Sequence, residues 1–187
     1  MKLSLPGGLR LILSAALTCG AIVLPTLGLT GSAASAASDA VASCPAASTE
    51  VWAAVEGNGT AGTIFYDLEF SNVGSRPCTL RGYPDVWAIT RGGAEIGKPA
   101  SHRGSPSTVT LEPGATSHAI LGVVDPGALC GSVGVTSAGL MVVPPGQRPA
   151  GDADEVEPFT VQVCAHESSM HVQPVHAGTG IPLYTIS

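Results

Sequence analysis

The segment at residues 63–72, TIFYDLEFSN, has the clearest alternation of apolar and polar positions in the chain. Apolar residues stand at positions 64, 66, 68 and 70, and Asp67, Glu69 and Ser71 fall between them, with Phe65 as the exception. Successive side chains of a strand point to opposite faces of a sheet, so a period of two is typical of a strand that is buried on one side. The pattern predicts a half-buried strand whose opposite face is polar.

Shorter apolar segments continue along the chain, separated by turns that contain Gly, Pro or Asn. They lie at residues 49–56, 78–80, 86–90, 94–97, 108–111, 116–124, 139–143, 159–163 and 170–175. Residues 98–106 and 144–158 are predicted to be loops, and only residues 126–131 could form a helical turn. Eight or nine short strands with regular turns favour an all-β antiparallel sandwich over alternating strands and helices.

The N-terminal segment has the three parts of a secretory signal. Lys2 and Arg10 precede a largely apolar run over residues 11–29, and small residues with an Ala-Ser-Ala sequence at 34–36 follow. A membrane anchor is the alternative, because a spanning helix needs about 17–25 residues, but Pro25 and the small-residue tail favour cleavage. We expect a signal peptide at residues 1–37, a short linker at 38–43 and a single domain at 44–187.

Cys19 raises the alternative of a lipoprotein anchored through that cysteine. The residue before it is Thr18, larger than the very small residue expected there, and Cys19 lies inside the apolar run rather than after it. A signal-peptide cysteine is the favoured interpretation. The expected location is therefore extracellular or associated with the cell wall, with no stable membrane span after cleavage.

The charge of the chain restricts its partners. Loss of Lys2 and Arg10 with the leader leaves six basic and fourteen acidic residues, a net charge of −8. A protein that binds a phosphate backbone needs clustered Lys and Arg, and the remaining basic residues are scattered. Nucleic acid is thus excluded as a partner, and an unidentified protein or cell-wall component is expected. The oligomeric state does not follow from the sequence.

Four cysteines remain beyond the leader, at Cys44, Cys78, Cys130 and Cys164. An even number in an exported chain predicts two disulfides, with three possible pairings. The wide spacing excludes the Cys-x-x-Cys pattern of zinc and redox sites. Sequential pairing, Cys44–Cys78 and Cys130–Cys164, closes the shortest loops and costs the least closure entropy. We predict this pairing, while crossed pairings stay open because a sandwich can bring distant strands together.

Residues 72–86 carry a family resemblance, through the run NVGSRPCTLRGYPDV. The run resembles the signature of a secreted actinobacterial family known as domain of unknown function 4232. Further matches are Cys44, LEPG at residues 111–114, Cys130, VVPP at 142–145 and Cys164. The resemblance spans residues 44–176. It implies an export signal and an immunoglobulin-like β-sandwich, and it brings no catalytic residues.

The motif also has a physical explanation as a fold-making element. Gly82 relaxes the backbone, and Pro84 restricts the preceding Tyr83 to an extended conformation, so that Tyr83 can lie over the edge of the core. A recognition surface is the alternative interpretation. The residues assigned to this structural motif are Asn72, Leu80, Gly82, Tyr83, Pro84, Pro113 and Gly114.

Two groups of residues are candidates for metal binding, and neither has a specific spacing. His166 and His171 are five residues apart, so on a helix they would diverge by about 140° and could not share a zinc ion. With Met170 and His176 they could form a copper site, but on a strand His171 and His176 would point to opposite faces. The acidic residues of the 144–158 loop lack the EF-hand pattern; they are Asp152, Asp154, Glu155 and Glu157. We expect no metal and no cofactor.

No nucleophile, phosphate-loop or dinucleotide motif occurs in the mature chain. The sequence therefore predicts a non-catalytic binding module of the exterior or cell envelope, not an enzyme. A small-ligand or metal carrier and an uncharacterised extracellular enzyme are the alternatives. Trp52 and Trp87, the only tryptophans, are expected to pack in the sandwich or at its edge; an exposed one would be the first candidate for a ligand platform.

Overall fold

The computed structural model of the protein describes residues 40–54, 57–131, 134–148, 154–156 and 158–178. The expected signal peptide, at residues 1–37, lies outside these residues. Residues Asp39–Ser187 make up one compact unit. Within the described part of the chain, none of the helical segments is both long and apolar enough to cross a bilayer.

Short strands form nearly all of the regular structure. The strands are β1 Thr49–Ala53, β2 Asn58–Thr60, β3 Thr63–Asn72, β4 Cys78–Arg81, β5 Asp85–Ile89, β6 Glu95–Ile96, β7 Ser101–His102, β8 Thr108–Leu111, β9 Thr116–Val124, β10 Val135–Thr136, β11 Gly139–Val143, β12 Asp154–Val156, β13 Gln162–Val163 and β14 Met170–Val172. A 3₁₀ turn at Ala46–Ser48 precedes β1, and one helical turn, α1, spans Pro126–Leu129. The all-β fold and the helical turn within residues 126–131 are thereby confirmed.

The largest sheet has the order β1-β3-β9-β14-β7, with β2 also paired to β3. A second sheet has the order β12-β11-β5-β6, and β4–β8 and β10–β13 form two-stranded sheets. The pairs are antiparallel except for β14 and β7, which run parallel. The predicted antiparallel arrangement is confirmed for all the named strand pairs except this one at the edge of the large sheet.

Two of these strands lie in segments predicted to be loops. β7 falls within residues 98–106, and β12 falls within the acidic segment 144–158, where it pairs with β11. Both are edge strands, which join a sheet through backbone hydrogen bonds and need no apolar alternation. The strand predicted at residues 170–175 is shorter than expected, because Pro174 has no N–H to donate to a ladder.

The core lies against the face of β3 that the alternation predicted to be buried. Leu68 and Phe70 are fully buried there, and Tyr66 is nearly so. Opposing side chains come from the second sheet and from the β4–β8 pair, where Val86, Leu140 and Leu80 are also fully buried. A single hydrophobic core therefore joins these sheets.

Both disulfides have the sequential pairing. Cys44 is bonded to Cys78, and Cys130 is bonded to Cys164, each across a separation of 34 residues. The first bond ties the segment before β1 to the start of β4, and the second ties the end of α1 to the residue after β13. The predicted pairing is confirmed.

Asn72 connects three parts of the structural motif and is 1% exposed. Its side-chain amide donates to the carbonyl oxygens of Arg76, at 2.9 Å, and Leu111, at 3.0 Å, and its oxygen accepts from the Gly74 N–H at 3.0 Å. The Asn72 carbonyl accepts from the N–H of Gly114, which has a φ of +79°. Asn72 thus holds the turn after β3 against the turn between β8 and β9.

Four further motif residues pack around the turn after β4, whereas Pro113 is exposed in the turn between β8 and β9. Gly82 adopts a φ of +92°, which a side chain would disfavour. The Tyr83 hydroxyl donates to the Gly104 carbonyl, and its ring stacks on His102 with centroids 4.5 Å apart. Pro84 and Leu80 are buried. These contacts favour the fold-making interpretation of the motif over a recognition surface.

Candidate functional site

The outer face of the large sheet, opposite the core, carries a row of side chains in register across its strands. Trp52 of β1 lies opposite Glu69 of β3, Glu69 lies opposite His118 of β9, and His118 forms a β-bridge with His176. We call these four residues the Trp52 row. Directly opposite residues on one face of an antiparallel pair have Cβ atoms about 4.5–5.5 Å apart. The sheet therefore places an indole, a carboxylate and two imidazoles side by side.

Asp67 and His118 form a buried pair beside this row. His118 Nδ1 and Asp67 Oδ2 are 2.8 Å apart, and the two residues are 3% and 7% exposed. The other carboxylate oxygen, Asp67 Oδ1, is buried without a hydrogen-bond partner in the described part of the chain. Donor atoms of Asp67, Glu69 and His118 all lie within 4.8 Å of one another. One imidazole and two carboxylates thus converge on the outer face.

His176 lies on the same outer face as His171, which corrects the expectation that the two would point to opposite faces. His171 is paired with Gly122 and Val172 with Leu121, yet His176 is bridged to His118, so the segment holds one residue more than the opposing strand. An extra residue is a bulge, and it reverses the alternation beyond it. The His176 ring lies 6.0 Å from the His118 ring between centroids, and its Nε2 is buried without a partner among the described residues.

His171 lies over Gly122 and is 7% exposed. A Cβ atom at Gly122 would come within 2.3 Å of the imidazole ring, so glycine is required for this packing. The ring also meets Phe65 edge to face, with centroids 5.9 Å apart. Burial, with a smaller contribution from the positive charge of Arg103, lowers the pKa of His171 from its ordinary value.

Among the described residues, the histidine and methionine candidates taken from the sequence are not brought together. His166 is exposed in the turn before β14, and Met170 is 3% exposed on the core side of β14. His171 and His176 share a face, but their partners on β9 are four residues apart, about 14 Å at 3.4 Å per residue. Asp152 and Glu157 lie outside the described residues.

The two tryptophans differ in exposure. Trp52 is 58% exposed on β1, whereas Trp87 is half-buried on β5, opposite Met141. Glu50 precedes Trp52 by two residues, so both side chains point to the outer face, and Glu50 is exposed as well. Trp52 therefore has Glu50 beside it on its own strand and Glu69 opposite it on β3.

A cleft of about 460 Å³ opens at the end of the sandwich where β3 begins and β9 ends. Ile64, Tyr66, Val123 and Val161 supply apolar walls, and Asp125 lies at its border. The volume lies within the range of small-ligand sites, about 300–1,000 Å³. Burial raises the pKa of the Tyr66 hydroxyl from its ordinary value, so this group stays a neutral hydrogen-bonding group over the physiological range.

The sequence pattern predicts the face on which Asp67 and Glu69 lie, but it does not mark them as site residues and it does not indicate His118. Asp67 and Glu69 were expected on the polar face of the strand at residues 63–72, where they lie. The sequence does not indicate that His118 lies near these two residues. His118 stands opposite Glu69 only through the register in which β3 pairs with β9. The alternation of residues 116–124 could have indicated only that His118 lies on one of two faces.

Comparison with known proteins identifies a family for this chain. None of the curated proteins matches the chain. The model of the family described as a domain of unknown function, DUF4232, matches residues 44–176, which is most of the chain and the span over which the motif resemblance extends; the chain belongs to this family.

Proposed function

We propose that the protein is an exported, non-catalytic module of the cell exterior or envelope that binds a partner protein through the β1 edge of the outer face. Export is supported by the signal pattern at residues 1–37 and by two disulfides, which persist in oxidising compartments. The immunoglobulin-like arrangement implied by the family resemblance suits such a module. Sandwiches of this kind commonly present their surface to partners while the core keeps the surface rigid.

The exposure of Trp52 is the observation that carries this proposal. A tryptophan buries about 150–250 Å² when it is covered, yet this one is 58% exposed. Tryptophan is enriched among the residues that dominate binding energy at interfaces. Trp52 is presented from a paired strand, so little conformational entropy is lost when a partner covers it.

The partner is expected to carry basic side chains at this surface. Glu50 and Glu69 flank Trp52 on the outer face, and an indole between two carboxylates attracts a Lys or Arg side chain by charge and by cation–π interaction. The mature chain also has a net charge of −8, which favours association with a basic partner.

The test compares four forms of the protein as bait in culture supernatant and cell-wall extract. We expect a partner that the wild type retains, that Trp52→Ala loses, and that salt weakens because the contact is partly electrostatic. Val73→Ala is the matched control, because Val73 is an apolar residue that is 56% exposed after β3. Glu50→Gln should weaken the interaction. Equal retention by wild type and Trp52→Ala of every bound protein would overturn the proposal.

A small-ligand or metal carrier is the second candidate function, and two observations favour it. The cleft at Ile64 and Tyr66 has the size and apolar walls of a ligand site, and the donor atoms of Asp67, Glu69 and His118 converge on the outer face. Transfer of a hydrophobic fluorophore into the cleft, abolished by Ile64→Asp and unaffected by Trp52→Ala, would support this function instead.

A further inference from the structure

We propose that Asp67, Glu69 and His118 form a binding site for a divalent transition-metal ion such as Zn²⁺. The proposal does not depend on the partner proposed for Trp52. It departs from the expectation of no metal, which considered His166, His171, His176, Met170 and the acidic loop. The structure brings a different set of donors together.

The geometry of the three donors fits one ion after small movements. Zinc binds oxygen and nitrogen donors at about 2.0–2.2 Å, so two donors of one ion are at most about 4 Å apart. The three donor atoms lie within 4.8 Å of one another. Glu69 is half-buried and its carboxylate is carried by a longer, more rotatable side chain, which can supply a shift of less than 1 Å. His118 Nδ1 and Asp67 Oδ2, at 2.8 Å, are already close enough, and the ion would replace the proton that they share.

The donor types select the class of ion. Imidazole with carboxylates is typical of zinc and other first-row transition metals, whereas Ca²⁺ and Mg²⁺ prefer sites made of oxygen alone. Three protein donors leave at least one position for water or for a donor from a partner. Such an open site differs from the closed, four-ligand sites that stabilise small folds.

One carboxylate oxygen of Asp67 is buried without a hydrogen-bond partner among the described residues. This is evidence for a ligand in addition to the convergence of the three donor atoms. Asp67 is 7% exposed, and while Oδ2 pairs with His118, Oδ1 has no hydrogen-bond partner within the described residues. A buried polar atom without a partner costs about 1–3 kcal/mol, and more if it is charged. A cation held by the same carboxylate would satisfy this oxygen and would offset the charges of Asp67 and Glu69.

His118 is held firmly enough to act as a ligand. It lies in the middle of β9, and its backbone N–H and carbonyl pair with the His176 carbonyl and N–H at 3.0 and 2.8 Å. Its strand is paired on its other side with β3, which carries both carboxylates. Because neighbouring strands of one sheet supply the three donors, their backbone positions are fixed before an ion binds, which lowers the entropy cost of binding.

The experiment is a calorimetric titration of the purified full-length protein with ZnSO₄, followed by metal analysis after gel filtration. We expect one Zn²⁺ per chain in the wild type, and at least tenfold weaker binding in Glu69→Gln and His118→Asn. Co²⁺ in place of Zn²⁺ should give visible d–d absorption that Glu69→Gln alters. CaCl₂ should bind at least tenfold more weakly than ZnSO₄.

Four controls make the result specific. His102→Asn removes the histidine of an exposed His–Asp pair, and His166→Asn removes an exposed histidine; both should keep wild-type affinity. Val73→Ala, which alters an exposed apolar residue after β3, should also keep it. Circular dichroism checks whether His118→Asn folds. If His118→Asn does not fold, the affinity of Glu69→Gln for Zn²⁺ decides whether the proposal holds. Absence of saturable Zn²⁺ binding, or equal affinity in wild type and Glu69→Gln, would overturn the proposal.

Discussion

The inner and outer faces of β3 both bury side chains, but with opposite chemistry. On the inner face Leu68 and Phe70 are fully buried among apolar neighbours. On the outer face Asp67 is 7% exposed and depends on His118 for a partner. Apolar burial tolerates many neighbours because it is not directional, whereas a buried carboxylate needs specific ones. The inner face therefore maintains the fold, whereas the outer face holds the polar groups on which the proposed binding sites depend.

The sharpest test of this contrast uses two adjacent residues of β3. Phe70→Ala should lower the free energy of unfolding by about 3–5 kcal/mol, because it removes a fully buried ring and leaves a cavity. Glu69→Gln, on the outer face, should change it by about 0.5 kcal/mol or less. Urea denaturation with the disulfides intact measures both. Similar losses in the two variants would remove the distinction between the faces.

A second test compares a buried His–Asp pair with an exposed one. Asp67→Ala should cost about 1–3 kcal/mol of unfolding free energy, because it leaves His118 Nδ1 buried without its partner. Asp85→Ala disrupts the His102–Asp85 pair, whose side chains are 43% and 42% exposed, and should cost less than about 1 kcal/mol. Thermal denaturation of both variants beside the wild type provides the comparison. Equal costs would show that burial of the outer-face pair has no energetic consequence.

A third test concerns how closely the outer face is packed. Gly122→Ala should destabilise the protein by about 1–3 kcal/mol, because the new Cβ would lie within 2.3 Å of the His171 ring. Gly92→Ala is the control, since the nearest atom to a Cβ there is 4.0 Å away. The double variant Gly122→Ala/His171→Ala should recover part of the loss, as denaturant midpoints can show. If the double variant is as unstable as Gly122→Ala, the clash of the new Cβ is not with the His171 ring.

The smallest expected effect is a pH dependence from His171. Its pKa is lowered in the folded protein by burial and by Arg103, so below about pH 6.5 the unfolded chain takes up a proton that the folded chain resists. Stability should therefore fall as the pH falls from about 6.5 toward the lower folded pKa, and should be insensitive to His171 above that range. Melting temperatures between pH 8 and 5 should show a shallower decline in His171→Gln than in wild type. If the melting temperature falls equally steeply with pH in both proteins, the pH dependence does not come from His171.

The parts of this molecule that follow a local rule were predictable from the sequence. The alternation at residues 63–72 predicted β3 and its polar face, and loop-closure entropy predicted both disulfides. β7 and β12 were not predictable, because edge strands two or three residues long depend on a neighbour for their hydrogen bonds. The convergence of His118 with Asp67 and Glu69 depends on the register of β3 and β9, and Asp67 and His118 are 51 residues apart in the sequence. The bulge that turns His176 outward depends on pairing in the same way.

The central claim, that the outer face at Trp52 binds a basic partner, is tested most directly by tryptophan fluorescence. Trp87→Phe leaves Trp52 as the only tryptophan. The replaced residue lies on β5 of the second sheet, whereas Trp52 lies in the large sheet. A Lys- and Arg-rich peptide should produce a saturable change in Trp52 emission that Glu50→Gln weakens and high salt reverses. An acidic peptide of the same length should produce none. An emission that stays unchanged with the basic peptide, or responds equally to both, would contradict the account.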